Sequence, residues 1–454
     1  MAHIVIIGAG LTGLSAAYHL EKRGYTDYTL FEREETIGGL CRSVVQDGFT
    51  FDYTGHLLHI NDSYFRSLIN NLVGLDQFNT INRKSFIYSH ERYTRYPYQV
   101  NLFGLPKDVI AECIEGFVAR STSLKKTRTF PEWVDKNFGT GFARHFFLPY
   151  QKKIFAYDLD DITASWTGRF VPQTSLREMI LGALEDRTND AIGYNAHFYY
   201  PKQGGIQYWI LKLAQALKKP INTLYNVNTI DIKNKVIEFT NGHTQKYDIL
   251  ISTMPLDTLI TKIKELPSTR FKTALEHLAC NAVINFNLGV ARNDLSEKHW
   301  IYFPEEKYPF YRIGFPHNLA TSMAPEGCSS LYGEFAHIGK SHDEVQTMLK
   351  QALAQTKKVL KIDQQDILTE KIITIPHAYV IYNTWREKYL PHLHVALHKH
   401  AVYSIGRYGE WKYASMQEAV LDGKKIVDDL TVVPAKTAFY QEQTATNKHR
   451  KEAM

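Results

Sequence analysis

Residues 3–34 read HIVIIGAGLTGLSAAYHLEKRGYTDYTLFERE, and no other stretch restricts the fold as much. Val5, Ile6 and Ile7 form a short continuous apolar run, the pattern of a parallel strand covered on both faces. Small and apolar residues then recur at helical spacing from Leu11 to Leu20, Gly24 ends the helix, and YTLFE is the next strand. Between the first strand and the helix lies Gly8-x-Gly10-x-x-Gly13. Alone that spacing is weak. In a strand–turn–helix–strand frame that places Glu32 at the end of the second strand, it marks a dinucleotide site. Gly8 permits the tight turn, and Gly10 lets a pyrophosphate reach backbone N–H groups at a helix N-terminus, where the dipole favours negative charge. Gly13 allows close helix–strand packing, and Glu32 can accept hydrogen bonds from a ribose hydroxyl.

The chain has 454 residues, more than one compact core accommodates, so two or three subdomains are expected. A hydrophobic share of 44% and a charged share of 22% are those of an ordinary globular protein, and a net charge of +6 over this length gives no argument for a nucleic-acid partner. Aromatic residues reach 13%, which suits a large ring-lined pocket. Cys41, Cys113, Cys280 and Cys328 form no metal-like cluster and read as free thiols in a reducing compartment. No apolar run has the length to cross a bilayer, and the N-terminus lacks a basic leader, so a cytoplasmic location without membrane insertion is expected.

Residues 105–190 carry helical spacing, and from 205 the chain returns to α/β character, with NGH at 241–243 as a hairpin signal. Residues 280–340 alternate like antiparallel strands, 343–360 read as a helix, and the chain closes with strand, loop and helix. The expected class is α/β. A discontinuous Rossmann-type domain (1–84, 201–262 and 396–432) carries a helical insertion (105–200) and an antiparallel-sheet substrate domain (85–104 and 263–395), with 433–454 as a flexible tail.

After Glu32 comes ETIGGLCRS, in which Gly38 and Gly39 let backbone approach a ligand. This composite resembles the extended FAD signature of the amine-oxidase-like flavoproteins. RYPYQVNL (95–102), FFLPYQKKIFAYDLDDITASWTGRFVP (146–172), NAHFYYPKQGGI (195–206), WIYFPEEKYPFYRIGFP (300–316) and IGRYGEWKY (405–413) follow in order. Together they resemble UDP-galactopyranose mutases, the eukaryotic type especially, and protoporphyrinogen-oxidase-like flavoproteins. The resemblance runs to about residue 432. It implies FAD, held by Gly8, Gly10, Leu11, Thr12, Gly13, Glu32, Arg33, Gly38, Gly39, Leu40, His56, Val227, Gly406, Tyr413, Met416 and Gln417. It implies a nucleotide-diphosphate sugar as substrate, with Arg169 and Arg312 on the diphosphate; forked, always-charged guanidinium donors suit phosphate oxygens. Tyr96, Tyr98 and Gln99 match the base-contacting stretch, Asn195 a substrate-side asparagine, and Tyr379, Tyr382 and Tyr413 tyrosines near the diphosphate or sugar. The family has Asn and Trp where this chain has Gln151 and Phe155, beside the nucleobase. It commonly has Asp-His-Ser where this chain reads Gln417, Glu418 and Ala419.

The activity implied is pyranose–furanose interconversion through a reduced-flavin N5–sugar adduct, with His56, Arg169 and Arg312 as the catalytic set and NAD(P)H as a candidate reductant. No protein nucleophile and no metal are required. The fold and cofactor site are equally those of an amine-oxidase or protoporphyrinogen-oxidase type of oxidoreductase, or of an inert FAD-binding protein. The discriminator is whether Arg169 and Arg312 converge over the flavin face. Sugar, base, electron source and oligomeric state are left open. In YTGHLLH (53–59), two histidines lie among apolar residues. The matched context assigns His56 to the flavin wall, with Gly55 letting the loop come close, and leaves His59 to packing.

Overall fold

The computed structural model describes residues 2–121, 126–168, 170–187, 192–193, 196–265 and 269–431. The expected tail, 433–454, lies outside them, as do Arg169 and Asn195.

Two sheets carry the architecture. The first has five strands, all parallel, in the order Val402–Ser404, Ile249–Ser252, Ile4–Ile7, Tyr28–Phe31, Ile221–Asn222. Ile4–Ile7 is buried at every position, as an apolar strand between two layers must be. The helix Leu11–Lys22 covers one face and packs on the closing helix Met416–Thr431. The first, middle and last parts of the chain thus meet in one sheet. A three-stranded antiparallel sheet (Val227–Asp231, Val236–Phe239, Thr244–Lys246) contains the NGH hairpin, with Gly242 at φ +84°.

The second large sheet has seven strands in the order Ile367–Ile375, Ala282–Val290, Ser329–His337, Arg312–Gly314, Trp300–Tyr302, Ser85–Ser89, Arg92–Arg95. It is antiparallel except at one junction: Trp300–Tyr302 runs parallel to Ser85–Ser89. That junction joins strands more than 200 residues apart, and no local alternation could have revealed its direction. The alternation in AVINFNLGV (282–290) reads as a half-exposed strand, yet eight of its nine residues are buried. Ile284, Phe286 and Leu288 enter one apolar core, while Asn285 and Asn287 are buried on the other face. The Asn285 amide donates to the Asp52 carbonyl (3.4 Å), and the Asn287 amide to the Lys371 carbonyl (3.1 Å). The polar face is thus buried and hydrogen-bonded to backbone carbonyls.

The helical part comprises Lys107–Ala119, Phe130–Phe142, Leu148–Phe155 and Leu176–Leu184, of which Leu148–Phe155 also packs on the strand Ser329–His337. Within the stretch of helical spacing, the helix Phe130–Phe142 is broken at Gly139, at φ +80° and ψ 173°. A Cβ there would stand 2.0 Å from the Gly116 carbonyl oxygen, so the neighbouring helix sets the break. No described helix is long and apolar enough to cross a membrane, and the four cysteines are unpaired.

Candidate flavin and substrate cavity

The two sheets and the helical layer enclose a cavity of about 1140 Å³. That is at or beyond the upper end of the roughly 300–1,000 Å³ usual for small-molecule sites, and leaves room for an extended dinucleotide plus a second ligand.

At one end the glycine turn forms the wall. Gly8 sits at φ +99°, and a Cβ on Gly13 would lie 1.9 Å from the Gly8 carbonyl oxygen. Gly13 is therefore a packing residue and does not reach the cavity, whereas Gly8, Gly10, Leu11 and Thr12 do. No side chain caps the helix Leu11–Lys22, so its first turn is open to the cavity. Gly38, Gly39 and Leu40 approach from the other side; a Cβ on Gly39 would lie 3.2 Å from the Gly10 Cα. Glu32 closes this end. One of its oxygens accepts from the Ala9 N–H (2.7 Å) and the other from the Glu34 N–H (3.0 Å), which clamps the carboxylate across the turn. Arg33 reaches the cavity but pairs with Glu34. Val227, Gly406, Tyr413 and Met416 complete this part.

His56 lines the cavity, and its buried Nδ1 has no well-formed hydrogen bond, with only the Tyr53 and Thr54 backbone beside the ring. Burial, reinforced by the Arg407 charge, pushes the imidazole down to about 4, so it is neutral at physiological pH. Gly55 differs from expectation in one respect. A Cβ there would stand 2.2 Å from the Tyr332 hydroxyl, and one on Gly314 2.2 Å from the same ring. What Gly55 admits closely is this tyrosine. His59 is buried edge-on to Phe198, with Nδ1 3.3 Å from the His197 carbonyl, and also touches the cavity wall.

Three expected contacts are corrected. Tyr98 is fully buried and stacks on Phe146 at 5.0 Å, turned away from the cavity, because 98–100 is a short 3₁₀ turn whose neighbours face opposite ways. Tyr382 lies behind the wall: its hydroxyl accepts from the Tyr413 N–H (3.0 Å), and Arg386 covers its ring at 3.6 Å. Gln417 does not reach the cavity either; its amide oxygen accepts from the Asn61 and Asp62 N–H groups (2.7 and 2.9 Å). Tyr96, Gln99, Gln151, Phe155, Arg312 and Tyr379 do line the cavity. The Gln99 amide donates to the Pro172 carbonyl (2.7 Å), which leaves its oxygen for a ligand donor.

Arg312 is already held. Its Nε and Nη2 make a two-pronged ion pair with Glu334 (2.5 and 2.9 Å), a fully buried carboxylate directly across the strand pair. Glu334 carries no motif and could be found only from strand register. The same holds for Tyr332. Trp300, Tyr302 and Tyr311 flank Arg312 in the wall, and Arg407 joins them from the 405–413 segment. Their motifs were visible in the sequence, but not the direction of their side chains.

A parallel sheet, a glycine turn at an open helix N-terminus, a clamped acidic residue and a buried imidazole in a long cavity define a dinucleotide-binding protein. The residues fit FAD. A sequence model of the flavin containing amine oxidoreductase family matches residues 11–431, and the chain belongs to that family. Coproporphyrinogen III oxidase of Bacillus subtilis (strain 168) is 23% identical over 409 residues, covering 81% of this chain and 85% of that protein. A solved reduced UDP-galactopyranose mutase is 27% identical over 96% of this chain and 95% of its own, with a TM-score of 0.89. A protoporphyrinogen oxidase-like protein of Exiguobacterium sp. 255-15 shares the fold, at a TM-score of 0.73 and 17% identity over 95% of this chain and 99% of that one.

Proposed function

We propose that this FAD-dependent enzyme is a nucleotide-sugar mutase that interconverts pyranose and furanose forms, with His56, Arg312 and the cavity tyrosines as its working residues. The observation that carries the reading is the wall facing the glycine turn. Arg312 stands there among Tyr96, Tyr302, Tyr311, Tyr332 and Tyr379, and Arg407 lines the cavity nearer the start of the dinucleotide helix, so that cations, hydroxyls and rings suited to a diphosphate, a sugar and a base line one cavity. The likeness to the mutase structure over nearly the whole chain supports it. When bound and reduced, the flavin supplies the nucleophile for the anomeric carbon, and the chain needs none of its own. The arginines take up the charge of the departing diphosphate. Tyrosine hydroxyls orient the sugar, and the aromatic wall keeps water out. His56, held neutral, presents an unprotonated nitrogen or a single N–H to whatever lies against it.

A second reading has its own observation. Glu334 neutralises Arg312, so that guanidinium is already paired before any phosphate arrives, which favours flavin-dependent oxidation of a substrate that does not need it. The relative named as coproporphyrinogen III oxidase supports that class. The test is anaerobic. Dithionite-reduced protein is incubated with UDP-, GDP- and ADP-sugars, products are separated by chromatography, and adducts are trapped with borohydride. Furanose product and a trapped flavin–sugar species are expected. No turnover with any nucleotide sugar, with rapid bleaching of the oxidised flavin by a porphyrinogen or an amine, would sink the mutase reading in favour of the second. NAD(P)H is the reductant to try in place of dithionite.

A further inference from the structure

Among the described residues, Arg407 stands in the cavity wall with no anionic partner. Its Nη1 donates to the Ala414 carbonyl (3.1 Å) and its Nη2 to the Ala378 carbonyl (3.2 Å). The guanidinium carbon lies 5.8, 5.7 and 5.6 Å from the ring centroids of Tyr379, Tyr408 and Tyr413. Among the described residues it forms no ion pair with a carboxylate, in contrast to Arg312 with Glu334. A cation fixed in a poorly solvated wall without a counter-charge is costly unless an anion arrives.

Arg407 lies between the dinucleotide turn and His56. Arg407 follows Gly406, where a Cβ would stand 2.7 Å from the Thr12 hydroxyl, at the start of the dinucleotide helix. On its other side the Arg407 charge reaches His56 and helps to keep that ring neutral, so His56 does not supply the positive charge itself. The N-terminus of the helix Met416–Thr431 does not supply it well either. Glu418 sits in its first turn and accepts from the Ser415 N–H (2.7 Å) and hydroxyl (3.0 Å), while the Ser415 hydroxyl accepts from the Glu418 N–H (3.2 Å). This capping box places a carboxylate on the positive end of the helix and offsets its dipole.

We propose that Arg407 is the cation that stabilises the negative charge a bound flavin gains on reduction, and that it raises the flavin's reduction potential. Two electrons and one proton entering the neutral ring leave it with one negative charge, and a fixed guanidinium favours that state over the oxidised one. The inference rests on FAD binding and not on the identity of the substrate, so it stands or falls separately from the mutase reading.

The test compares holoenzyme with Arg407→Gln, which keeps an amide donor for the backbone carbonyls but loses the charge, and with Arg407→Lys, which keeps the charge. Bound FAD is equilibrated with a reference dye while xanthine and xanthine oxidase supply electrons. The Gln variant should shift the oxidised–reduced equilibrium at least tenfold towards oxidised, about 30 mV for a two-electron couple. The Lys variant should stay within roughly threefold of wild type, far less than that step. A Gln variant at the wild-type potential, or Lys and Gln shifted equally, overturns the proposal. Wild-type protein gives a second readout that needs no variant. Its reduced flavin, titrated by absorbance from pH 8 down to pH 5, should protonate at lower pH than free reduced FAD measured alongside. Protonation at the same pH as the free cofactor overturns the proposal equally.

Discussion

His56 was expected at the flavin wall from its place after Gly55, and it does line the cavity, with a buried Nδ1 that has no well-formed hydrogen bond. The sequence could not indicate its protonation. Burial holds the folded-state ring near 4, below its ordinary 6.5, so the unfolded chain takes up a proton between those values that the folded one refuses. Its stability contribution is therefore intact above pH 6.5 and is lost as pH falls towards 4. The difference in unfolding free energy between wild type and His56→Asn should move against wild type over that window and stay flat from pH 7 to 8, as read by urea titrations at stepped pH. Arg312 was expected to meet a phosphate; it lines the cavity and is paired with Glu334. Truncating one member of a buried pair strands the other. Glu334→Ala should cost about 3–5 kcal/mol in denaturant unfolding, and Arg312→Met, which removes the cation but keeps the bulk, should also weaken nucleotide-sugar binding in calorimetry if the mutase reading holds.

At the scale of elements, legibility followed sequence locality. The strand, turn and helix of 4–22 could be read directly, because each signal lies within a few residues of the structure it specifies. The role of Gly13 was also legible. Its missing Cβ leaves room for the Gly8 carbonyl, so Gly13→Ala should lower stability by about 1–3 kcal/mol and reduce FAD retained on purification, measured by the ratio of flavin to protein absorbance. The helix His342–Leu360 offers a control remote from the cavity. Ser341 and Glu344 form a capping box there, and Ser341→Ala should cost about 1 kcal/mol while leaving the flavin spectrum unchanged. The misplacements of Tyr98, Tyr382 and Gln417 have a common cause. A motif match fixes a residue's position along the chain, whereas a turn, a covering arginine or a competing backbone donor decides which way its side chain points.

At the scale of the molecule, segments from the first, middle and last parts of the chain share one parallel sheet, and the seven-stranded sheet faces it across the cavity. A bound dinucleotide then contacts both layers and replaces solvent in the space between them. The melting temperature of FAD-stripped protein should therefore rise on adding FAD and keep rising with its concentration. The expected gain is about 2.7 kcal/mol at a hundredfold excess over Kd, read by scanning fluorimetry. A thermal midpoint indifferent to FAD would contradict the site as described.

The sequence by itself determined the dinucleotide turn, its acidic partner and the order of helical and strand-rich segments, because short-range spacing and local backbone chemistry encode them, and its motifs resembled those of the flavin family. Tertiary structure alone decided the parallel junction between residues 85–89 and 300–302, the capture of Arg312 by Glu334, the approach of Tyr332 to Gly55 and the bonding of Arg407 to backbone carbonyls, with no carboxylate partner among the described residues. Each of these depends on strand register or on contacts between residues far apart in the chain, and a linear pattern does not carry that information.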